Sequence, residues 1–187
     1  MSTSTTPGRP AVATPVAVAV RAAAAAVVAV AVTFALDHRH PDTFGLAALG
    51  GYLILQAIVL AVCVTGLAWT RPGRALVLLR ALVSLAGGVI ALVGLSGGAG
   101  LLRPLEAVVF LVVGALEIIG GLRRSERSEL AGDAVVVGGL QVLLGVVLLV
   151  LREDALFAVG TLGAWGAIVA VYLGISAANL RRRSVRA

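Results

Sequence analysis

The chain has 187 residues, 60% of them hydrophobic, with 15 basic residues that are all arginine, 9 acidic residues and a formal net charge of +6. A mean hydropathy of +1.07, with stretches such as 22–32 and 142–151 that lack any polar face at helical spacing, excludes a water-soluble bundle. The arginines sit at the ends of apolar runs rather than on a folded basic face, which excludes nucleic acid as a partner and leaves anionic lipid.

Residues 1–14, composed mainly of Ser, Thr, Pro and Ala, read as a disordered tail. Six apolar runs follow, at 16–36, 44–69, 75–95, 104–122, 134–151 and 155–180. At a rise of about 1.5 Å per residue, around 20 residues cross a hydrocarbon core about 30 Å thick, so each run predicts a transmembrane helix. The first run is too long for a cleaved signal peptide and is interrupted by Arg21. The expected organisation is a first hairpin at 15–70, a second at 71–124, a loop at 125–133, a third hairpin at 134–180 and a basic tail at 181–187. The fold class is therefore all-α: a polytopic membrane protein of six transmembrane helices arranged as three parallel helical hairpin repeats in the lipid bilayer.

Arginine placement sets the orientation. With six spans, Arg9, Arg21, Arg71, Arg74, Arg80, Arg123, Arg124, Arg127, Arg181, Arg182, Arg183 and Arg186 fall on one side, and only Arg39, Arg103 and Arg152 on the other. The positive-inside rule then puts both termini in the cytoplasm.

The hairpins resemble one another. The second span reads LGGYLILQAIVLA from Leu49 and the sixth LGAWGAIVAVYLG from Leu162, so that Gly50 falls on Gly163, Tyr52 on Trp165, Ala57 on Ala170 and Ala61 on Gly174. The run RALVSLAGGVIALV from Arg80 echoes RAAAAAVVAVAVTF from Arg21, which supplies a third copy. Each copy starts and ends on the same side, so these are parallel repeats and not the inverted repeats of many secondary transporters. In the sixth span Gly163, Ala167, Ala170 and Gly174 form a stripe of small residues, as do Gly50, Ala57 and Ala61 in the second and Ser84, Gly88 and Ala91 in the third. Such stripes predict close helix contacts, and their extent beyond what six helices need points to a homo-oligomer.

The middle hairpin runs RALVLLRALVSLAGGVIALV, a short loop, then LEAVVFLVVGALEIIGGLRR. Its end resembles the hairpin-ending signature of the HdeD-like family of short-repeat bacterial membrane proteins, with Gly114, Glu117, Ile118, Arg123 and Arg124 at the matching positions. The third hairpin looks like a further copy, with Ile175 where the glutamate stands; the first is a poor match, so the resemblance covers mainly 74–183. It implies a bacterial inner (plasma) membrane location and a contribution to acid resistance, without supplying a molecular activity.

The ionisable residues within the spans define the candidate site. Arg80 lies six residues past Arg74 and Glu117 six before Arg123, both about 9 Å inside the boundary by helical rise. An Arg80–Glu117 ion pair is expected, with Arg21 at similar depth as a competing partner, acting as a packing clamp or, as a second reading, a relay. Glu106, just after Arg103 and Pro104, reads as ordinary helix-start chemistry. Gln56 and Gln141 read as interhelical hydrogen-bonding amides, and Cys63 as a buried, inert thiol. The loop Asp37-His38-Arg39-His40-Pro41-Asp42 has the residue types of a metal or pH-responsive site, but reads as a solvated turn. No catalytic, cofactor or metal site is expected. Two function classes follow: a non-enzymatic structural or stress-associated membrane protein, and a small transporter or channel with a polar route near Arg80 and Glu117.

Overall fold

The computed structural model describes residues 13–35, 40–66, 71–96, 100–123, 129–151 and 154–186. The chain is an all-α membrane protein, and its described residues form six helices each long and apolar enough to span a bilayer. They are α1 (Ala13–Ala35), α2 (Pro41–Gly66), α3 (Arg71–Val93), α4 (Leu102–Leu122), α5 (Glu129–Val150) and α6 (Ala155–Arg186), with one 3-10 turn, Gly94–Ser96, after α3. Arg9, Asp37, His38, Arg39, Arg124, Arg127, Arg152 and Glu153 lie outside the described residues.

Local chemistry accounts for the helix ends. Proline opens α2 at Pro41, where its missing N–H costs nothing, and Asp42 follows in the first turn beside the positive end of the helix dipole. Asp154 caps α6, its Oδ1 accepting the Phe157 N–H at 3.1 Å. Gly100, at φ +102°, takes a left-handed turn into α4 that a residue with a Cβ resists. Several boundaries differ from the sequence reading. Helix α1 begins at Ala13, inside the stretch read as a disordered tail, α5 begins at Glu129, inside the stretch read as loop, and α6 runs on to Arg186 where a separate basic tail was expected. Arginine is a good helix former and no glycine or proline follows Leu180, so nothing stops the helix there.

Polarity runs inside out relative to a soluble bundle. Among the described residues Gln56, Arg80, Ser84, Glu106, Glu117, Gln141 and Thr161 are buried, while Phe34 (82% exposed), Val93 (72%), Leu122 (71%) and Val150 (70%) stand on the outer surface. Such a surface suits hydrocarbon and not water.

The helices form a closed ring in which α2, α4 and α6 also touch one another at the centre and are more deeply buried than α1, α3 and α5. The closest pairs are α2 with α3, α4 with α5 and α1 with α6. Each hairpin of the sequence therefore lends its first helix to the last helix of the hairpin before it, and the pattern recurs three times round. Glycine makes these approaches possible. A Cβ on Gly88 (α3) would lie 3.1 Å from the Gly50 carbonyl and 2.8 Å from Ile54, and one on Gly145 (α5) would lie 3.0 Å from the Ala107 carbonyl and 2.9 Å from Leu111. Gly88 and Gly145, Gly50 and Ala107, and Ile54 and Leu111 are each 57 residues apart, so the same contact is made twice. In the α1–α6 contact the glycines are on α6 instead: Gly163 faces Val32, and Gly166 faces the Ala25 carbonyl and Ala29. Helices α5 and α6 pack least among ring neighbours, and a polar tie joins them: Asp133 accepts from the Tyr172 hydroxyl at 3.0 Å and from the Ser176 hydroxyl.

Within the predicted stripe on α6, Gly163 is buried and Ala170 half-buried, but Ala167 is exposed and a Cβ on Gly174 would meet nothing within 4 Å. The four residues do not form one interface. At 3.6 residues per turn Ala167 lies about 40° round the helix from Gly163, and α1 covers the other flank, through Gly166.

Among the described glycines, the closest approach to the backbone of another helix is between α4 and α5, where a Cβ on Gly114 would sit 2.7 Å from the Gly138 carbonyl and one on Gly138 2.6 Å from the Gly114 carbonyl. Gly138→Ala is expected to lower unfolding stability in detergent by about 1–3 kcal/mol through overpacking against backbone. Its neighbour Gly139 has nothing within 4 Å of a Cβ, so Gly139→Ala is expected to be neutral or to stabilise by up to about 1 kcal/mol through helix propensity.

Candidate functional site

On α4 the buried residues Leu102, Glu106, Val109, Phe110, Val113, Glu117 and Gly121 recur every three to four positions and form the face turned to the centre of the ring. Glu117 is almost wholly buried near the end of that face. Arg21 of α1 and Arg80 of α3 approach it from the starts of their helices. Arg21 Nη2 donates to Glu117 Oε1 at 2.8 Å. Arg80 Nη2 stands 2.7 Å from Glu117 Oε2, an ion pair. The two arginines are thus not competitors: each takes one carboxylate oxygen, and three helices meet on a single acid. The cluster holds two positive charges against one negative. The Nε of each arginine has no hydrogen-bond partner among the described residues.

A short polar chain joins α2 to α3. The Tyr52 hydroxyl donates to Gln56 Oε1, and Gln56 Nε2 lies 3.5 Å from Ser84 Oγ. Gln141 of α5 is buried with its Oε1 unpartnered among the described residues; its Cβ is 2.9 Å from where a Cβ on Gly114 would stand. Of the two glutamines, Gln56 therefore bridges helices by a hydrogen bond, while Gln141 sits in the close α4–α5 contact.

Above the charge cluster one aromatic residue from each central helix fills the middle of the ring. Tyr52 and Trp165 meet edge to face with centroids 4.9 Å apart, and Phe110 lies 5.3 Å from Trp165. Beyond that layer, Leu102 of α4 and Val159 of α6 both press on Gly45 of α2, so the three central helices run parallel.

Glu106 departs from the sequence reading. The acid lies past the first turn of α4, which holds no acidic residue, and is fully buried, with neither oxygen hydrogen-bonded to a described residue. Helix-start chemistry does not explain it. The signal was present in the spacing, since Glu106 and Glu117 are 11 residues apart, three turns of one helix, and share the central face. Of the loop cluster, His40 is exposed beside Pro41 and the half-buried Asp42 at the start of α2. Among the described residues no group of three or more His, Cys, Asp or Glu could hold a metal. Cys63 is half-buried.

Comparison with protein-family models, curated proteins and solved structures finds no match to this chain.

Removing Glu117 strands two cations inside the bundle, whereas removing Arg21 leaves a balanced Arg80–Glu117 pair. Glu117→Gln is accordingly expected to cost about 3–5 kcal/mol of stability, and Arg21→Gln less than half as much. Denaturant titration of the two variants in the same detergent checks the ranking.

Proposed function

We propose that the chain is a non-enzymatic integral membrane protein of the HdeD-like type, which contributes to tolerance of acid or envelope stress. The reading is supported by one observation above all: Glu117, the acid in the resembling signature, is the residue on which Arg21, Arg80 and α4 converge. In this reading the cluster is a clamp. It fixes α1 and α3 to the central helix α4 at the end where the arginines accumulate. That end faces the cytoplasm of a bacterial inner membrane by the positive-inside rule, with both termini there, and the apolar outer surface faces lipid or a second copy of the chain.

The alternative, a small transporter or channel, draws on the polar residues Gln56, Ser84 and Gln141 that flank the clamp. The aromatic layer weighs against it, because Tyr52, Phe110 and Trp165 occupy the section that a continuous water path must cross.

An acid challenge of a deletion strain complemented with wild type or with Glu117→Gln, together with cysteine labelling at positions 80 and 117, separates the readings. The clamp predicts reduced survival with Glu117→Gln and no labelling from water at either position. Labelling at both positions in the folded protein supports a polar route instead, and equal survival of all strains removes the stress role. Reporter fusions at the two ends are expected to place both in the cytoplasm.

A further inference from the structure

Glu106 remains unused by the clamp. It is 0% exposed, and its two oxygens have no hydrogen-bond partner among the described residues. The side chains buried towards this end of the surrounding helices include Leu46 and Leu49 of α2, Ala91 of α3, Leu148 of α5 and Leu162 of α6, all apolar. Thr161 of α6 gives its hydroxyl proton to its own helix, at the Phe157 carbonyl 2.9 Å away. The charged or titratable groups that the packed elements bring to this end are His40 and Asp42 at the start of α2, Arg103 on α4 itself and Asp154 before α6; α3 and α5 bring none among the described residues. Arg103 is held by the Leu151 carbonyl at 3.1 Å, and Asp154 caps α6. Neither forms an ion pair with Glu106.

A carboxylate enclosed by hydrocarbon requires a counter-cation, and among the described residues no side chain supplies it. With none there, the cation is drawn from solution. A metal ion also needs several further oxygen ligands, and no described residue brings one to Glu106, whereas a proton needs one.

We propose that Glu106 is a proton-binding site at the centre of the bundle, loaded from the end at which α4 begins. It lies four residues beyond Leu102, about 6 Å from the start of the helix by rise. One turn further in, Phe110 with Trp165 and Tyr52 closes the section towards Glu117. Binding joins one proton to one carboxylate oxygen and cancels the charge among the three central helices. Release leaves an uncompensated charge between α2, α4 and α6, which those helices accommodate only by admitting water. The site thus links proton concentration at one membrane face to the packing of the central trio. It is independent of the Glu117 clamp.

Infrared spectroscopy of the full chain in lipid vesicles tests the assignment through the carbonyl stretch of a protonated carboxyl. The expected result is such a band at neutral pH that disappears on raising the pH, is absent from Glu106→Gln and persists in Glu117→Gln. Absence of the band in wild type, its retention in Glu106→Gln, or its persistence at every pH overturns the proposal. A band displaced by sodium but not by potassium or choline at fixed pH also overturns it, in favour of a metal-cation site. Should Glu106→Gln fail to fold, dicyclohexylcarbodiimide, which adds to protonated carboxyls in apolar surroundings, serves on the wild-type chain. Peptide mapping is expected to find Glu106 modified at neutral pH, declining with alkalinity, and Glu117 unmodified; modification of Glu117 alone overturns the assignment.

Discussion

Lipid tails are as apolar as leucine, so two helices in a bilayer gain little by burying apolar surface against each other. What holds them is close backbone approach and polar contact. Both devices run through this bundle. The backbone approach is made at Gly50 and Gly88, at Gly114, Gly138 and Gly145, and at Gly163 and Gly166, along the three tightest helix pairs. Polar contacts add to these: Glu117 gathers α1, α3 and α4, Gln56 reaches Ser84 within the close α2–α3 pair, and Asp133 ties α5 to α6. The last of these stands where packing between ring neighbours is thinnest.

The three central helices carry unlike cargo at comparable levels. Tyr52, Phe110 and Trp165 make one apolar layer, with the charge cluster on one side of it and Glu106 on the other. Only α4 bears an acid on both sides. At 57 residues before Glu106 and Glu117 the second helix has Leu49 and Leu60, both buried. The packing repeats at 57 residues while the charge does not.

Much of this was legible in the residues. Six spans follow from apolar run length, and the shared depth of Arg21, Arg80 and Glu117 follows from counting residues in from the helix ends. The pairing of Tyr52 with Trp165 in the repeat register anticipated two residues that meet at the centre. Other features depended on information that periodicity does not carry. Ala167 and Gly163 share a stripe, yet only a neighbouring helix decides which flank of the stripe is covered. Glu106 follows Pro104 in a sequence context typical of helix starts, and local context outweighed the three-turn spacing that places it on the central face. That two arginines share one acid could not be read from depth alone, because depth gives level and not azimuth.

The ring closes through α1 and α6, and this has a consequence for assembly. Helices α2 and α3, and α4 and α5, are consecutive in the chain and can dock as soon as the later member of each pair reaches the bilayer. Helix α1 has no such neighbour for its glycine-matched contact, because its partner is made more than a hundred residues later. Arg21 has no acid to match until α4 is made, and until α6 follows α1 stands beside α2 without its closest partner. For α1, synthesis order and packing order therefore part: it is made before the other five helices and is among the last of the six to be locked in place.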